Sequence, residues 1–231
     1  MRKGNKGGGG RGTMSGNCRL KPFGKYFLKP LWLYLFAPSF RRIFKIKAIN
    51  WEVLKQPGPL IVAPNHRSYI DPPLLNAISP EPLVFLAKKE LFKGKFKNWL
   101  FRNMNAIPVD RSKADFNALN EALKRLEEGC KVCIFPEGHR APERGFLKPK
   151  PGVGYLAIKS GVPVVPVYIH NSTDILSRDN KKFRIPKKEV LVIFGEPITF
   201  EGYPDNIKGY KEVSNLIMEE IKKLATKIEK A

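Results

Sequence analysis

Residues 59–75 read PLIVAPNHRSYIDPPLL, and the fold turns on how they are parsed. Leu60, Ile61, Val62 and Ala63 form a short apolar run, which predicts a strand buried on both faces. Asn65, His66, Arg67 and Ser68 break the run. Asp71 then stands before Pro72 and Pro73, the signature of a helix start with an acidic N-cap.

The same alternation continues downstream. Apolar runs bounded by turn residues occur at 82–87 (PLVFLA), 105–109 (NAIPV), 131–135 (KVCIF), 162–169 (VPVVPVYI) and 189–194 (EVLVIF), and each reads as a strand. Between the third and fourth runs, Phe116, Leu119, Leu123 and Leu126 share one helical face. Ser112 with Asp115 suggests a capping box for that helix, and Gly129 its C′ residue. A last helix is predicted over about 210–229. Strand and helix in alternation imply an α/β fold with a mostly parallel central sheet flanked by helices.

Ahead of this unit, residues 1–13 are Gly-rich and basic, and read as a flexible tail or an expression remnant. Residues 14–47 read as N-terminal membrane-interface helices, and residues 48–231 as the α/β domain. In the N-terminal segment Phe23, Tyr26, Phe27, Trp32, Tyr34, Phe36, Phe40 and Phe44 are interleaved with Lys and Arg. Its apolar stretch, Pro30 to Ala37, is far short of the roughly 20 residues a spanning helix needs. Aromatic rings beside cations suit the headgroup layer. Pro30 and Pro38 suggest two short helices. The competing reading packs the segment on the domain's own core.

Composition narrows the partners. The 231 residues carry 42 Lys plus Arg against 21 Asp plus Glu, a net charge of +21. Such a field favours nucleic acid, an anionic membrane face or phosphorylated small molecules. Hydrophobic residues at 42% exclude a disordered basic tail as the main body. Cysteine occurs three times. An odd number with one close pair is no disulfide framework and suggests a reducing compartment. Cys130 and Cys133 have redox-motif spacing but sit in a strand-like run, away from any helix dipole, so both read as small core residues. No second cysteine pair supports zinc, and no metal is expected.

Following each run to its C-terminal end collects polar residues: Asn65 and His66, then Lys88, then Asp110 and Arg111, then Glu137, Gly138, His139 and Arg140. Parallel strands would bring these ends to one sheet edge, where α/β folds place their ligands. A turn between His66 and Asp71 would let the carboxylate fix the imidazole tautomer and leave the other nitrogen as a base. Ser68 lacks the G-x-S-x-G surroundings of a nucleophile. A His–carboxylate pair without a protein nucleophile suits activation of a substrate hydroxyl, and the neighbouring cations suit a phosphate. With a membrane surface added, the pattern points to acyl transfer onto a phospholipid precursor.

At these residues the chain resembles the glycerolipid acyltransferase family, specifically its 1-acyl-glycerol-3-phosphate (lysophosphatidate) acyltransferases. N-H-x-x-x-x-D is matched from Asn65 and His66 to Asp71. G-x-x-x-x-x-R is matched by NAIPVDR ending at Arg111, with Asn105 for Gly. F-P-E-G-T-R-S is matched by FPEGHRA at 135–141, with His139 for Thr and Ala141 for Ser, and a proline-containing apolar block by VPVVPV with Pro166. The resemblance spans about residues 45–200. It implies His66 as general base and Asp71 as its orienting partner. It also implies an acceptor site of Arg111, Glu137, Gly138 and Arg140, to which Lys88 is added by position. The donor would be an acyl thioester of coenzyme A or acyl carrier protein. The acceptor would be lysophosphatidate, at the cytoplasmic face of the cell membrane, with no cofactor and no nucleic acid. The rival readings are an acyltransferase for another lysolipid or for glycerol-3-phosphate, a basic nucleic-acid-binding protein, and an inactive membrane-binding scaffold.

Overall fold

A computed structural model of the chain describes residues 18, 30–110, 112, 115–142, 145–177 and 182–229, without the side chains of Trp32 and Leu33. The tail at 1–13 lies outside the described residues, as does Arg111. The described chain forms one seven-stranded sheet in the order β1-β7-β6-β2-β5-β3-β4. Its strands are β1 (Ile46–Ile49), β2 (Leu60–Pro64), β3 (Val84–Lys88), β4 (Ala106–Val109), β5 (Lys131–Cys133), β6 (Val164–His170) and β7 (Val190–Phe194). β6, β2, β5, β3 and β4 are mutually parallel, with Ile61 opposite both Val132 and Val164. β7 pairs antiparallel with β6, and β1 pairs parallel with β7. The mostly parallel α/β expectation therefore holds. The described part of the β6–β7 connection holds only a short 3-10 turn, Ser172–Asp174, and no α-helix to carry a parallel crossover, which fits the antiparallel step. β1, IKAI, is a strand that the sequence reading did not pick out, and it begins within the segment assigned to 14–47.

Both faces of the sheet are covered, which is why β2 and β6 are apolar at nearly every position. The helices are α1 (Ala37–Ile43), α2 (Asp71–Ile78), α3 (Lys95–Asn103), α4 (Phe116–Glu127), α5 (Gly152–Ser160) and α6 (Ile207–Glu229). One core joins Ile61, Val132 and Val164 to Ala122 and Leu126 of α4, Leu156 of α5 and Ile217 and Ile221 of α6. The other joins Val62, Phe85, Val165 and Phe194 to Leu74, Leu75 and Ile78 of α2 and Phe44 after α1. Right-handed crossovers explain the division. The steps β2 to β3 and β3 to β4 go one way along the sheet and put α2 and α3 on one face. The steps β4 to β5 and β5 to β6 go the other way and put α4 and α5 on the opposite face.

Local signals explain the helix ends. Asp115, not Ser112, caps α4: its side chain accepts the N–H of Ala118 at 3.1 Å. Ser112 instead bonds to Asp110. Gly129, at φ 82°, closes α4 as expected, with Gly129 N–H donating to Leu126 and Cys130 N–H to Arg125. Pro38 lies in the first turn of α1, but a π-helical turn, Leu31–Phe36, runs straight into it, so Pro38 starts α1 without separating it from what precedes. No helix among the described residues is long and apolar enough to cross a membrane.

The cysteine expectation needs correction. Cys18 and Cys130 form a disulfide across 112 residues. The bond removes the argument for a reducing compartment, and spacing along the chain had no way to reveal a partner so distant. Cys133 is a buried free thiol as read, and burial pushes it well above the usual thiol pKa, which leaves it inert.

Candidate active site

The loop from β2 to α2 carries His66 and Asp71 into the sheet edge. Asp71 is the first residue of α2, and the N-cap position falls on Ile70, so the N-cap expectation for Asp71 is not met. Its fully buried carboxylate turns back on its own loop instead. There Oδ2 accepts the N–H of Arg67 at 2.9 Å and of Ser68 at 2.8 Å, and stands 2.8 Å from His66 Nδ1. A carboxylate in this setting accepts, so Nδ1 carries the proton and Nε2 presents a lone pair. Nε2 has no hydrogen-bond partner among the described residues. The ring is stacked on Phe135 at 4.0 Å and its side chain is 5% exposed. Packing and one hydrogen bond thus hold the imidazole in a single orientation.

The backbone around His66 is held as firmly. Asn65 acts as a strut between strands: its Nδ2 donates to Ile169 O at 3.1 Å and its Oδ1 accepts Ile169 N–H at 2.6 Å. Ser68 Oγ donates to Leu176 O. From β5, Glu137 accepts the N–H of His66 at 2.9 Å on Oε1 and of Leu147 at 2.6 Å on Oε2. Ala141 N–H donates to His66 O at 2.7 Å. The FPEG block therefore grips His66 through both its N–H and its C=O. Since the bond from residue 141 uses the main chain, alanine makes it as well as serine would.

This geometry redirects one expectation. Glu137 was read as part of an acceptor site, but both its oxygens are taken by backbone N–H groups and the residue is buried. Burial raises its carboxyl pKa above the usual range, while the Leu147 and His66 N–H groups and the Arg67 charge pull it down. Gly138, at φ 69°, makes the turn after Glu137, and a Cβ there would meet Lys150 Cδ at 2.8 Å. Lys150 was not singled out from the sequence. Its N–H donates to Pro136 O at 2.8 Å, and its Nζ lies 3.2 Å from His139 Nε2. A lone lysine amid the charges of 139–150 gives no signal of its own until the chain folds back over Gly138.

The cations divide. Arg140 lies over the ring of Tyr69, 3.5 Å from its centroid, beside the His66 loop. Arg67 donates to Gly145 O at 2.9 Å and faces the rings of Phe146 and Tyr168, where it braces the loop after Arg140. Lys88 ends β3, two strands from β2, and pairs with Glu90 at 3.5 Å on the surface. Next to it Lys89 donates to Asp110 at 2.5 Å. That ammonium, with Ser112, holds the Asp110 carboxyl well below the usual range.

Beside Phe135 a cavity of about 500 Å³ opens on the α4–α5 side of the sheet edge. Leu86, Leu119, Phe135, Gly138, Val153 and Tyr155 are among its walls, with Lys150 at its polar part. Phe135, which stacks on the His66 ring, is shared with this mostly apolar space, which is of a size to hold an alkyl chain. No group of three or more His, Cys, Asp or Glu among the described residues is placed to hold a metal ion.

Comparison with known proteins agrees with this arrangement. The model of the acyltransferase family matches residues 45–170. A 1-acyl-sn-glycerol-3-phosphate acyltransferase of Bacillus subtilis is 30% identical over 154 residues, 66% of this chain and 73% of that one. The alpha form of that enzyme from Mus musculus is 28% identical over 157 residues, 64% of this chain and 53% of that one. The crystal structure of the 1-acyl-sn-glycerophosphate (LPA) acyltransferase PlsC from Thermotoga maritima superposes with a TM-score of 0.69 at 28% identity, over 87% of this chain and 81% of that one. The sequence blocks, the sheet and these matches lead to one assignment: the chain is an enzyme of the acyltransferase family, similar to the 1-acylglycerol-3-phosphate O-acyltransferases of phospholipid biosynthesis.

Proposed function

We propose that the protein transfers a fatty acyl group from an acyl thioester to the free sn-2 hydroxyl of 1-acyl-glycerol-3-phosphate, giving phosphatidate. The observation that carries this reading is the His66–Asp71 pair at 2.8 Å, its ring stacked on Phe135, which also walls an apolar cavity. In a single step Nε2 takes the proton of the acceptor hydroxyl, and that oxygen bonds to the thioester carbonyl carbon. The carbon–sulfur bond then breaks, and the leaving thiolate takes the proton back from the imidazolium. Asp71 keeps Nδ1–H directed and stabilises the charge on the ring while the proton is held there. The apolar cavity suits the chain being transferred. The donor would be acyl-coenzyme A or acyl carrier protein, and the protein needs no cofactor for these steps.

Arg140, beside the His66 loop, is placed to meet the acceptor phosphate, with Lys88 further along the same edge. The part of Arg111 rests on its match to the second sequence block, and Gly138 leaves room for Lys150. Glu137 is a positioning residue in this scheme. Exposed Tyr34, Leu35, Phe36 and Ile43 beside exposed Arg42 would hold the enzyme at a membrane surface. We place it at the cytoplasmic leaflet, whose anionic lipids match a net charge of +21.

The test is thiol release from an acyl thioester with lysophosphatidate, glycerol-3-phosphate and neutral lysolipids offered in parallel. His66→Ala should lose roughly 10²–10⁴-fold in kcat or more while circular dichroism and vesicle flotation stay those of wild type. Full turnover in that variant overturns the base assignment. Equal turnover of neutral lysolipids overturns the phosphate-bearing acceptor.

A further inference from the structure

We infer that the connection from β3 to β4, residues 89–103, is a second membrane-docking element, built to seat on an anionic bilayer. The inference rests on the membrane association proposed above, and adds a surface that the N-terminal segment does not contain.

The element is apolar where a soluble helix would be polar. Leu91 is 46% exposed, Phe96 70% and Trp99 45%. Phe96 and Trp99, three apart on α3, share a helix side, and their rings lie 6.1 Å apart in a stacked pair. The other side of the element is anchored: Phe92 is buried and meets Phe101 at 5.4 Å. The exposed side is therefore a surface fixed to the sheet.

Its charge is mainly positive: Glu90 is its one acid, and that carboxylate pairs with Lys88. Lys93, Lys95, Lys97 and Arg102 lie in this stretch, and residues 91–109 contain no Asp or Glu. All four cations are exposed. Helical spacing sets Lys95 and Arg102, seven apart, on one stripe next to Trp99. A nucleic-acid duplex would use the cations and leave the rings in water, and a single strand that stacked on the rings would still leave Leu91 exposed. A bilayer uses both, with Trp and Phe at headgroup depth and ammonium and guanidinium groups on lipid phosphates.

Location supports the same occupant. α3 lies on the α2 face of the sheet, and α1 packs on α2, so the exposed aromatics near α1 and those of α3 flank α2 from two sides. α2 begins at Asp71. Two separated contacts on one face would fix the tilt of the enzyme on the membrane, and with it the height of the His66 edge above the lipid. One contact would leave the domain free to swing.

The experiment uses the full chain with Trp32→Phe and Trp51→Phe, which leaves Trp99 as the sole tryptophan of the three. Vesicles are phosphatidylcholine with or without phosphatidylglycerol, with brominated acyl chains as quencher. On anionic vesicles Trp99 emission should shift to the blue and be quenched by bromine. Phe96→Ser should weaken vesicle partition by about tenfold, and added salt should weaken it further. If the protein floats with anionic vesicles while Trp99 stays unquenched and open to iodide, the α3 contact is overturned and membrane association through the N-terminal segment survives. If the protein does not float, both fall. If Trp99 is shielded from iodide before lipid is added and light scattering gives a dimer mass, the surface belongs to a second copy of the chain.

Discussion

At the scale of single residues, the site is a set of main-chain bonds around the His66 loop that leave Nε2 of its ring without a hydrogen-bond partner among the described residues. Asp71 Oδ2 serves three donors at once, and Glu137 serves two. Glutamine at 137 keeps one acceptor oxygen, so one of the two N–H groups loses its partner. A buried donor left unmade costs about 1–3 kcal/mol. Glu137→Gln should therefore lower stability by that amount in urea unfolding and reduce kcat more than it raises KM, because the displaced group is the His66 main chain. A large rise in KM for the acceptor at unchanged kcat would instead return Glu137 to the acceptor site. The pH dependence has a definite sign. Burial lifts the Glu137 carboxyl above its usual 4.5, so the folded chain holds that proton to higher pH than the unfolded one. The group's contribution to stability is then fully present below 4.5 and declines as pH rises through the folded value. The stability difference between wild type and Glu137→Gln should shrink from pH 4.5 upward, and a difference that grew would contradict the burial argument.

At the scale of elements, some were written plainly in the chain and others were not. β2, β5 and β6 announce themselves as apolar runs because both sides of each strand are covered. α4 and α6 announce themselves by a one-sided apolar stripe. α5, GVGYLAIKS, has no such stripe, since it is gripped between the sheet and α6 and carries small residues where α6 comes close. A Cβ on Gly154 would stand 2.0 Å from Tyr210 O and 2.9 Å from Ser214 Oγ, and Gly154 N–H donates to that same hydroxyl at 3.0 Å. Gly154→Ala should force α5 and α6 apart and cost about 1–3 kcal/mol, read as a lowered Tm. Because α5 walls the cavity, preference among acyl-chain lengths should shift as well. Gly161→Ala, where an added Cβ would meet nothing within 4 Å, is the control for backbone effects alone, since its φ of 63° is strained by any side chain. Unchanged stability in Gly154→Ala would mean the two helices do not meet as described. α3 has no clean core-facing stripe for a different reason: Phe96 and Trp99 face outward while Phe101 packs on Phe92, so its apolar residues are split between two sides.

At the scale of the whole molecule, the Cys18–Cys130 bond closes a loop of 112 residues and ties the start of the chain to the end of α4. A cross-link over a loop of this length stabilises by up to about 5 kcal/mol in the chain-entropy account, chiefly through the unfolded chain. Cys18→Ser should lower the urea midpoint accordingly, and reductant should bring the wild type to the same value. Thiol titration in denaturant without reductant should find one thiol, that of Cys133, and three after reduction; three at the outset would refute the bond.

The sequence by itself determined the strand–helix alternation, the turn that brings His66 to Asp71 and the blocks that mark the family. These depend on neighbours a few positions apart, whose geometry follows from local sterics and hydrogen bonding. Only the tertiary structure decided that Glu137 holds the His66 and Leu147 backbone, that Cys18 meets Cys130, that Lys150 crosses Gly138, where the cavity lies and which side of α3 carries Phe96 and Trp99. Each of those joins residues from about 10 to more than 100 positions apart or depends on which face of the sheet a crossover takes, and contacts of that kind are set by how the elements pack, which local spacing does not encode.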